Sequence, residues 1–203
     1  MASNKVQIWN IALARVGSTE RVQSENEGSL ASDLCATFYD ICRDFVLEAF
    51  PWRFAKKRIT LALKAGTPPG AWLYQYALPS DCVCIRCITN PLTRTPLAQL
   101  KIPFERATDG ASDLIFTDME DAELIYTCRV TDVSRYDASF LSSLAFNMAM
   151  ELAIPLMGAQ KGGPVAQAMD RGYNQTVRIA AAKSLNEGFD TTPDNEFLAA
   201  RNG

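Results

Sequence analysis

The spacing of apolar side chains changes twice along the chain and divides it into three parts. Up to residue 50, apolar residues recur every three or four positions, which predicts two amphipathic helices. Between residues 56 and 134 the period falls to two, which is typical of short strands. Helical spacing returns near residue 135 and continues to residue 186. This order of helices, strands and helices predicts an α+β fold.

We therefore predict a helical bundle formed by the N- and C-terminal helices, residues 1–55 and 135–186. A small antiparallel β domain, residues 56–134, is inserted between the two halves. Residues 187–203 are rich in Gly, Asp, Thr, Pro and Asn, and this composition predicts a flexible C-terminal tail.

The second helix is the structural spine of the N-terminal part. Ser29 is its predicted N-cap and Pro51 stops it at Phe50, so it should be about 31 Å long. Amphipathic helices direct an apolar stripe to the core. The stripe here is Leu30, Leu34, Phe38, Ile41 and Phe45, with Cys35, Cys42, Val46 and Ala49 beside it. The first helix should begin after Ser3 as N-cap and end at Gly17.

Another face of the second helix carries Asp40, Asp44 and Glu48, spaced four residues apart, which we name the acidic ridge. Like charges at that spacing destabilise an isolated helix by a few tenths of a kcal/mol per pair. We expect that either solvent or a cation from elsewhere compensates for them.

Short strands are predicted in the middle of the chain, separated by breaks that contain glycine or proline. The last two strands should form a hairpin through the acidic turn 118–121. Because Pro96 and Pro103 bracket it, the stretch 97–104 is predicted as an edge strand or a loop. The other predicted strands are residues 59–63, 72–78, 82–89, 114–117 and 122–130.

Two helices are predicted in the C-terminal part. Asp137 is the N-cap of the third helix, which should reach Ile154, where Pro155 kinks or ends it. The Gly-Gly-Pro sequence at 162–164 predicts a turn, and the last helix should then occupy residues 165–186.

The short segment between the second helix and the β domain brings together two large rings, Trp52 and Phe54. Each ring removes about 150–250 Å² from water when it is buried. We predict that both rings are structural anchors at the seam between the helical and β parts.

A basic cluster, Arg53, Lys56, Lys57 and Arg58, surrounds these rings, and three interpretations stay open. The cluster contacts nucleic-acid phosphates while the rings stack on bases, or it is a solvated edge. In the third interpretation it pairs with the acidic ridge of a neighbouring copy, in a head-to-tail contact that closes into a ring. The ridge and the cluster are therefore our candidates for a subunit interface.

The composition is typical of a folded protein, with 48% hydrophobic and 21% charged residues among 203. A net charge of −3 disfavours a protein held mainly by nucleic-acid phosphates. No apolar run approaches the ~20 residues of a membrane helix, and the N-terminal residues lack a signal-peptide pattern. We expect synthesis inside the cell and no membrane contact.

Candidate catalytic and metal-binding groups are scarce. The chain has no histidine, which excludes Ser-His-Asp and Cys-His arrangements. Cys82, Cys84 and Cys87 have no second cysteine pair at finger-like spacing, so we expect reduced core thiols, with Cys82 and Cys84 on one strand face. The acidic pairs lie on polar faces or in turns, and residues 158–164 lack the Walker order. We predict no catalytic residue, no cofactor and no bound metal.

Several short motifs follow one another between about residues 5 and 155. They are Ala12-Leu13-Ala14-Arg15-Val16-Gly17; Ala31, Cys35, Tyr39 and Arg43 with Leu47; Pro51-Trp52-Arg53-Phe54-Ala55; Trp72 with Tyr76-Ala77-Leu78-Pro79-Ser80-Asp81-Cys82; Leu124-Ile125-Tyr126-Thr127; and Asp137-Ala138-Ser139-Phe140. In this order and spacing they resemble phage head-to-tail adaptor proteins, the tail tubular protein A type of short-tailed phages and prophages.

The resemblance implies a structural virion protein without enzymatic activity. Members of this family form a dodecameric ring beneath the portal protein, continue the DNA channel and offer a platform to the tail nozzle or tail tube. Their fold has a helical bundle toward the portal and a β-rich domain. The implied protein is a homo-oligomer of the virion neck, assembled in the host cytoplasm, through which genome DNA passes without sequence-specific contact.

Two other functions stay open. A phage tail-associated cell-wall hydrolase needs a carboxylate held in a cleft. A small DNA-binding or regulatory module binds DNA with a steep dependence on salt. Peptidoglycan release and the salt dependence of DNA binding distinguish these functions from that of a ring adaptor.

Overall fold

The computed structural model describes residues 4–90 and 102–186. Within these ranges the predicted α+β fold is confirmed, because four helices flank two small antiparallel sheets. The helices are α1 Lys5–Arg15, α2 Leu30–Ala49, α3 Ala138–Met157 and α4 Ala159–Asn186. The strands are β1 Lys56–Thr60, β2 Tyr74–Ala77, β3 Cys82–Thr89, β4 Phe104–Thr108, β5 Asp113–Thr117 and β6 Glu123–Cys128.

Some predictions fall partly or wholly outside the described residues. They are the tail at 187–203 and most of the edge strand or loop at 97–104, of which Phe104 begins β4.

One cluster of buried apolar side chains continues from the helices into both sheets. The domain boundaries at 55/56 and 134/135 stay predictions.

The first helix has the predicted end and a different start. Asn4 caps α1 instead of Ser3, since its side chain accepts a hydrogen bond from the Gln7 amide at 2.8 Å. Gly17 has a φ of 81°, which lets its amide and that of Ser18 bond back to carbonyls of the last helical turn. This left-handed conformation is the reason for a glycine at that position.

The second helix begins after Ser29, as predicted, but buries a different face. In the apolar stripe predicted for the core, Leu30, Ile41 and Phe45 are 65%, 68% and 52% exposed, whereas Leu34 and Phe38 are partly buried against the core. The core-facing side is made instead by Ala31, Cys35, Tyr39, Cys42, Val46 and Leu47. The alanine and the cysteines are small, so this face lets α3 pack closely against α2.

The third helix is the centre of the bundle and contacts each of the other three. Asp137 caps it as predicted, accepting from the Phe140 amide at 2.7 Å. Pro155 does not end it, because the helix continues to Met157 and stops at Gly158. Its length and apolar composition would allow it to cross a membrane, so the expectation that no such segment exists was wrong. A central helix surrounded by other helices has the same composition.

The turn predicted at 162–164 is also wrong, because these residues lie inside α4. Gly162 marks a close approach between α3 and α4: a Cβ atom there would lie 2.5 Å from the carbonyl oxygen of Ala153. Gly172 likewise faces the ring of Phe146, since a Cβ atom on Gly172 would lie 2.5 Å from a ring carbon. The glycines therefore serve helix packing rather than chain reversal.

The strands form two three-stranded sheets, in the orders β1-β6-β3 and β2-β5-β4. The predicted hairpin of the last two strands is wrong, because β5 and β6 are central strands of different sheets. Both are buried along most of their length instead of alternating, as central strands covered on both faces are. The turn 118–121 therefore carries the chain from one sheet to the other.

The first strand begins three residues earlier than predicted and includes the lysines of the basic cluster. Lys56 pairs with Thr127 and Thr60 with Glu123 across the ladder to β6. Beyond the strand, Leu63 forms a single bridge to Tyr76 in the second sheet. The alternating residues after Thr60 thus connect the two sheets instead of extending β1.

All six cysteines are free. Cys35, Cys42 and Cys128 are buried, whereas those of β3 are half-buried, so the prediction of core thiols holds for three of them. A bulge between Cys82 and Cys84 interrupts the alternation on which their shared face was predicted. Burial raises the pKa of the Cys35 and Cys42 thiols to about 12, which keeps both protonated at neutral pH.

The contact at Gly162 predicts that alanine substitutions at two adjacent glycines change the free energy of unfolding in opposite directions. Gly162→Ala should lower the free energy of unfolding by about 1–3 kcal/mol, because the new methyl group meets a backbone carbonyl that cannot move aside. Gly163→Ala is the matched control: its Cβ meets nothing within 4 Å, so alanine should stabilise the helix by about 0.5–1 kcal/mol. Urea unfolding measures both, and equal effects would contradict the close approach of α3 and α4.

Candidate functional site: a subunit interface

The seam after α2 is organised by the buried side chain of Trp52, which is 1% exposed. Its indole Nε1 donates to the carbonyl of Val46 in the last turn of α2, at 2.7 Å. Its ring packs edge-on against Phe50 and Phe140, with centroids 5.0 and 5.2 Å away. The indole thus joins the end of α2 to the start of α3.

Phe54 extends the same aromatic cluster toward the sheet. Its ring lies 5.0 Å from Phe140 and 5.5 Å from Tyr136, and the latter two rings are 4.6 Å apart. The Tyr136 hydroxyl donates to the carbonyl of Val130 at 2.7 Å, just beyond β6. The five rings at 50, 52, 54, 136 and 140 therefore connect α2, α3 and the first sheet.

Arg86 on β3 is a second link between α2 and the sheet, and nothing in its local sequence pattern indicated this role. Its Nη2 donates to the carbonyls of Leu47 and Glu48, at 3.1 and 2.9 Å, while its Nε donates to Thr127. Those carbonyls belong to the last helical turn, where a helix lacks intrahelical donors and favours a cation. The last turn of α2 contains no basic residue of its own, so Arg86 supplies the charge.

The acidic ridge receives its cations from the same chain. Arg43 is buried and donates to Asp40 at 2.6 Å and to Asp44 at 2.8 Å. Arg129 reaches the second oxygen of Asp44 at 2.9 Å. An arginine three residues after Asp40 was the available signal for this pairing, since side chains at that spacing are neighbours on a helix.

Part of the acidic ridge still faces solvent. The Asp40 side chain keeps most of its surface exposed although it bonds Arg43. Glu48 is exposed, and among residues 4–90 and 102–186 its carboxylate has no ion pair. The ridge therefore remains an acidic surface after its internal bonds are counted.

The basic cluster does not form one patch. Lys57 pairs with Asp81 at 2.5 Å, and Arg58 lies 3.7 Å from Glu123. Lys56 is exposed on β1, and Arg53 donates to a carbonyl at the end of α4. Pairing between this cluster and the acidic ridge of another copy stays a prediction, and it competes with these bonds inside the chain.

Large apolar side chains of α2 form a stripe next to the acidic ridge; three of them are exposed, and Leu34 and Phe38 are partly buried against the core. We name Leu30, Leu34, Phe38, Ile41 and Phe45 the α2 stripe. At one end, Leu30 borders a cleft shared with Leu156 and Met157 of α3. At the other, the ring of Phe45 lies 6.0 Å from that of Tyr173 on α4. The pattern of the sequence identified these residues as apolar and assigned them to the core.

A cleft of about 360 Å³ lies beside the aromatic cluster. Arg53 and Lys183 border it, and Asp137 contributes a carboxylate that already caps α3. Among the described residues, no group of three or more cysteine, aspartate or glutamate side chains is placed to hold a metal ion. The cleft offers cationic and aromatic surface rather than a pair of carboxylates.

Comparison with known protein families finds none that matches the chain, and comparison with curated proteins finds no match either. The resemblance to head-to-tail adaptors therefore rests on the motifs quoted above and on their order. Those motifs include Trp52, Phe54 and Arg43, which the structure places in the aromatic cluster and beside the acidic ridge.

The aromatic cluster predicts that alanine substitution destabilises the protein much more at one tryptophan than at another. Trp52→Ala should lower the free energy of unfolding by about 3–5 kcal/mol, since it empties a fully buried site. Trp72 is half-buried and outside the cluster, so Trp72→Ala should cost about 1 kcal/mol. Chemical denaturation of both variants provides the comparison, and similar losses would show that Trp52 is not the anchor of the seam.

The contacts of Arg86 predict that its removal destabilises the protein more than removal of a half-exposed arginine does. Arg86→Ala should destabilise the protein by about 2–3 kcal/mol, because two carbonyls at the end of α2 lose a charged donor. The matched control is Arg129→Ala, which removes a half-exposed ion pair worth about 0–1 kcal/mol. Thermal and urea unfolding measure the two losses, and a smaller effect at Arg86 than at Arg129 contradicts its role at the helix end.

Proposed function

We propose that this chain is a structural virion protein that forms a ring adaptor between the portal and the tail of a phage and extends the DNA channel. The observation that carries the proposal is the α2 stripe, in which Leu30, Ile41 and Phe45 stay in solvent over about 22 Å of helix. Large apolar side chains left exposed on one face of a helix are typical of a site of protein association. An oligomer buries it.

The fold supports the same proposal. A helical bundle with an inserted pair of small antiparallel sheets agrees with the architecture that the resemblance implies. The bundle is tied to the first sheet by the aromatic cluster and by Arg86, which suits a component that transmits contacts at both ends. In the proposed particle, about twelve copies form the ring, the portal binds one side and the tail nozzle or tail tube binds the other.

The charges support a passive channel rather than a DNA-holding protein. The net charge is −3, and Lys57 and Arg58 of the basic cluster form ion pairs with Asp81 and Glu123. A net negative charge disfavours a protein that is held to DNA mainly by phosphate contacts. Genome DNA then passes the lumen without sequence-specific contact, and the protein acts in the virion neck after assembly in the host cytoplasm.

The acidic groups support a non-enzymatic role. Asp44 accepts from two arginines, and Asp137 accepts from the first turn of α3. A hydrolase needs one carboxylate free to protonate its substrate and a second group placed across a cleft. These carboxylates are instead engaged in fixing helix α2 and capping α3.

Binding to a portal ring tests the proposed function. The purified chain, mixed with the portal protein of the same phage or prophage, should produce particles with twelve-fold symmetry in negative-stain images and a matching native mass. A chain that never binds the portal ring contradicts the adaptor. Substitution of two exposed residues of the α2 stripe, Leu30→Asp with Ile41→Asp, should abolish the ring while the unfolding temperature stays within a few degrees.

Two further measurements address the alternatives. Release of peptidoglycan fragments by the wild-type chain, lost on substitution of one acidic residue, would establish a cell-wall hydrolase. DNA binding that falls steeply between low and physiological salt would establish a DNA-binding module. The adaptor predicts neither activity.

A further inference from the structure

Helices α2 and α4 carry net charges of opposite sign. α2 contains Asp33, Asp40, Asp44 and Glu48 with one arginine, a net charge of −3. α4 contains one aspartate, and its four basic residues are Lys161, Arg171, Arg178 and Lys183, a net charge of +3. The chain as a whole has a charge of −3, so this separation onto two helices is a local property.

The cations of α4 point away from the core. All four are exposed, and within residues 4–90 and 102–186 they form no ion pair with a carboxylate. Arg171 and Arg178 are seven residues apart, about two helical turns, and so share one face. The buried residues of α4, which are Gly162, Tyr173 and Ala180, lie on the opposite face of the helix.

The outward face of α4 also suits close packing. Ile179 is 45% exposed next to Arg178, and on the same side the small residues Ala168 and Ala182 are exposed together with Gln175. The two alanines leave room beside Ile179 for the ridge of a second helix. α2 offers such a ridge in the α2 stripe, with the acidic ridge directly beside it.

These features cannot satisfy each other inside one chain, because α4 turns its buried face, not its basic face, toward the bundle. We infer that α2 of one copy packs against the outward face of α4 of the next copy, with the α2 stripe over Ile179 and the alanines. The acidic ridge then lies against Arg171 and Arg178. This inference rests on the proposed function and deepens it by naming the two surfaces that join neighbouring subunits.

A second copy fits this surface better than the other possible occupants. DNA would bind the cations of α4 but would leave the apolar and acidic surface of α2 in water. An unrelated basic protein would cover α2 and leave α4 without a partner. Only a contact between copies uses both helices, and it joins two different patches, so it is head-to-tail and can close into a ring.

A charge-exchange experiment tests the inference. One variant reverses α2, through Asp33→Lys with Glu48→Lys; both residues are exposed and outside the bonds to Arg43. The other reverses α4, through Arg171→Glu with Arg178→Glu. Each variant alone should assemble at least about tenfold more weakly than the wild type, because like charges face each other. An equimolar mixture should assemble again as an alternating ring, because every contact then joins opposite charges.

Native mass and light scattering measure assembly, and Glu120→Lys, an exposed reversal in the β part, is the control that should assemble as the wild type does. Thermal unfolding checks that each variant is folded. If a reversed pair does not fold, Glu48→Gln and Arg178→Gln replace it, each weakening assembly by about two- to fivefold.

Two outcomes overturn the inference. If both reversed variants assemble normally, or if their mixture stays dissociated, the subunits join through other surfaces and the ring adaptor still stands. If the wild-type chain stays monomeric at every concentration and on the portal, both the α2–α4 contact and the adaptor are wrong. Monomers that assemble only on a portal ring are tested there, with the same variants and the same expected order.

Discussion

The last turn of α2 leaves carbonyl oxygens without intrahelical donors, and the connection between the helices and the sheets is built on the side chains that bond them. Trp52 donates to Val46 from the seam, and Arg86 donates to Leu47 and Glu48 from β3. The same indole packs against Phe140 at the start of α3. One helix end thus sets the position of the bundle relative to the first sheet.

With its end fixed in this way, α2 presents three different faces. One packs against α3 through small side chains, a second carries the acidic ridge, and between them lies the α2 stripe, of which Leu30, Ile41 and Phe45 are in solvent. Arg43 holds part of the ridge in place by bonding Asp40 and Asp44. The rigid spine of the monomer is therefore also its most conspicuous association surface. That combination is the physical basis for a protein whose role is assembly.

The sequence predicted the elements better than their partners. Local signals, such as Ser29, Gly17 and Asp137, located helix ends because capping depends on neighbours in the chain. The prediction of which face of α2 is buried was wrong because the helix has two apolar faces. Periodicity alone cannot tell which of them meets α3. The local sequence at Gly162 predicted a turn, but the chain is helical there and Gly162 packs closely against Ala153 of α3. Strand pairing failed at β5 and β6 for the same reason.

For the candidate site, the sequence supplied the residue types and the structure supplied their surroundings. The acidic ridge was visible as a spacing of four, but its bond to Arg129, 85 residues further along the chain, depends on the fold. The basic face of α4 became visible only once Tyr173 and Ala180 were known to face the core. An interface between copies is a property of surfaces, so it required knowledge of what stays exposed.

Hydroxyl-radical footprinting of the assembled and dissociated chain shows whether α2 is a subunit interface, because it reports the solvent exposure of individual side chains. We expect Leu30, Ile41 and Phe45 to react in the monomer and to become protected in the assembly. Leu73, which is equally exposed in the β part, serves as an internal reference for the monomer. An assembly in which the α2 residues react as strongly as they do in the monomer would contradict the claim that α2 is a subunit interface.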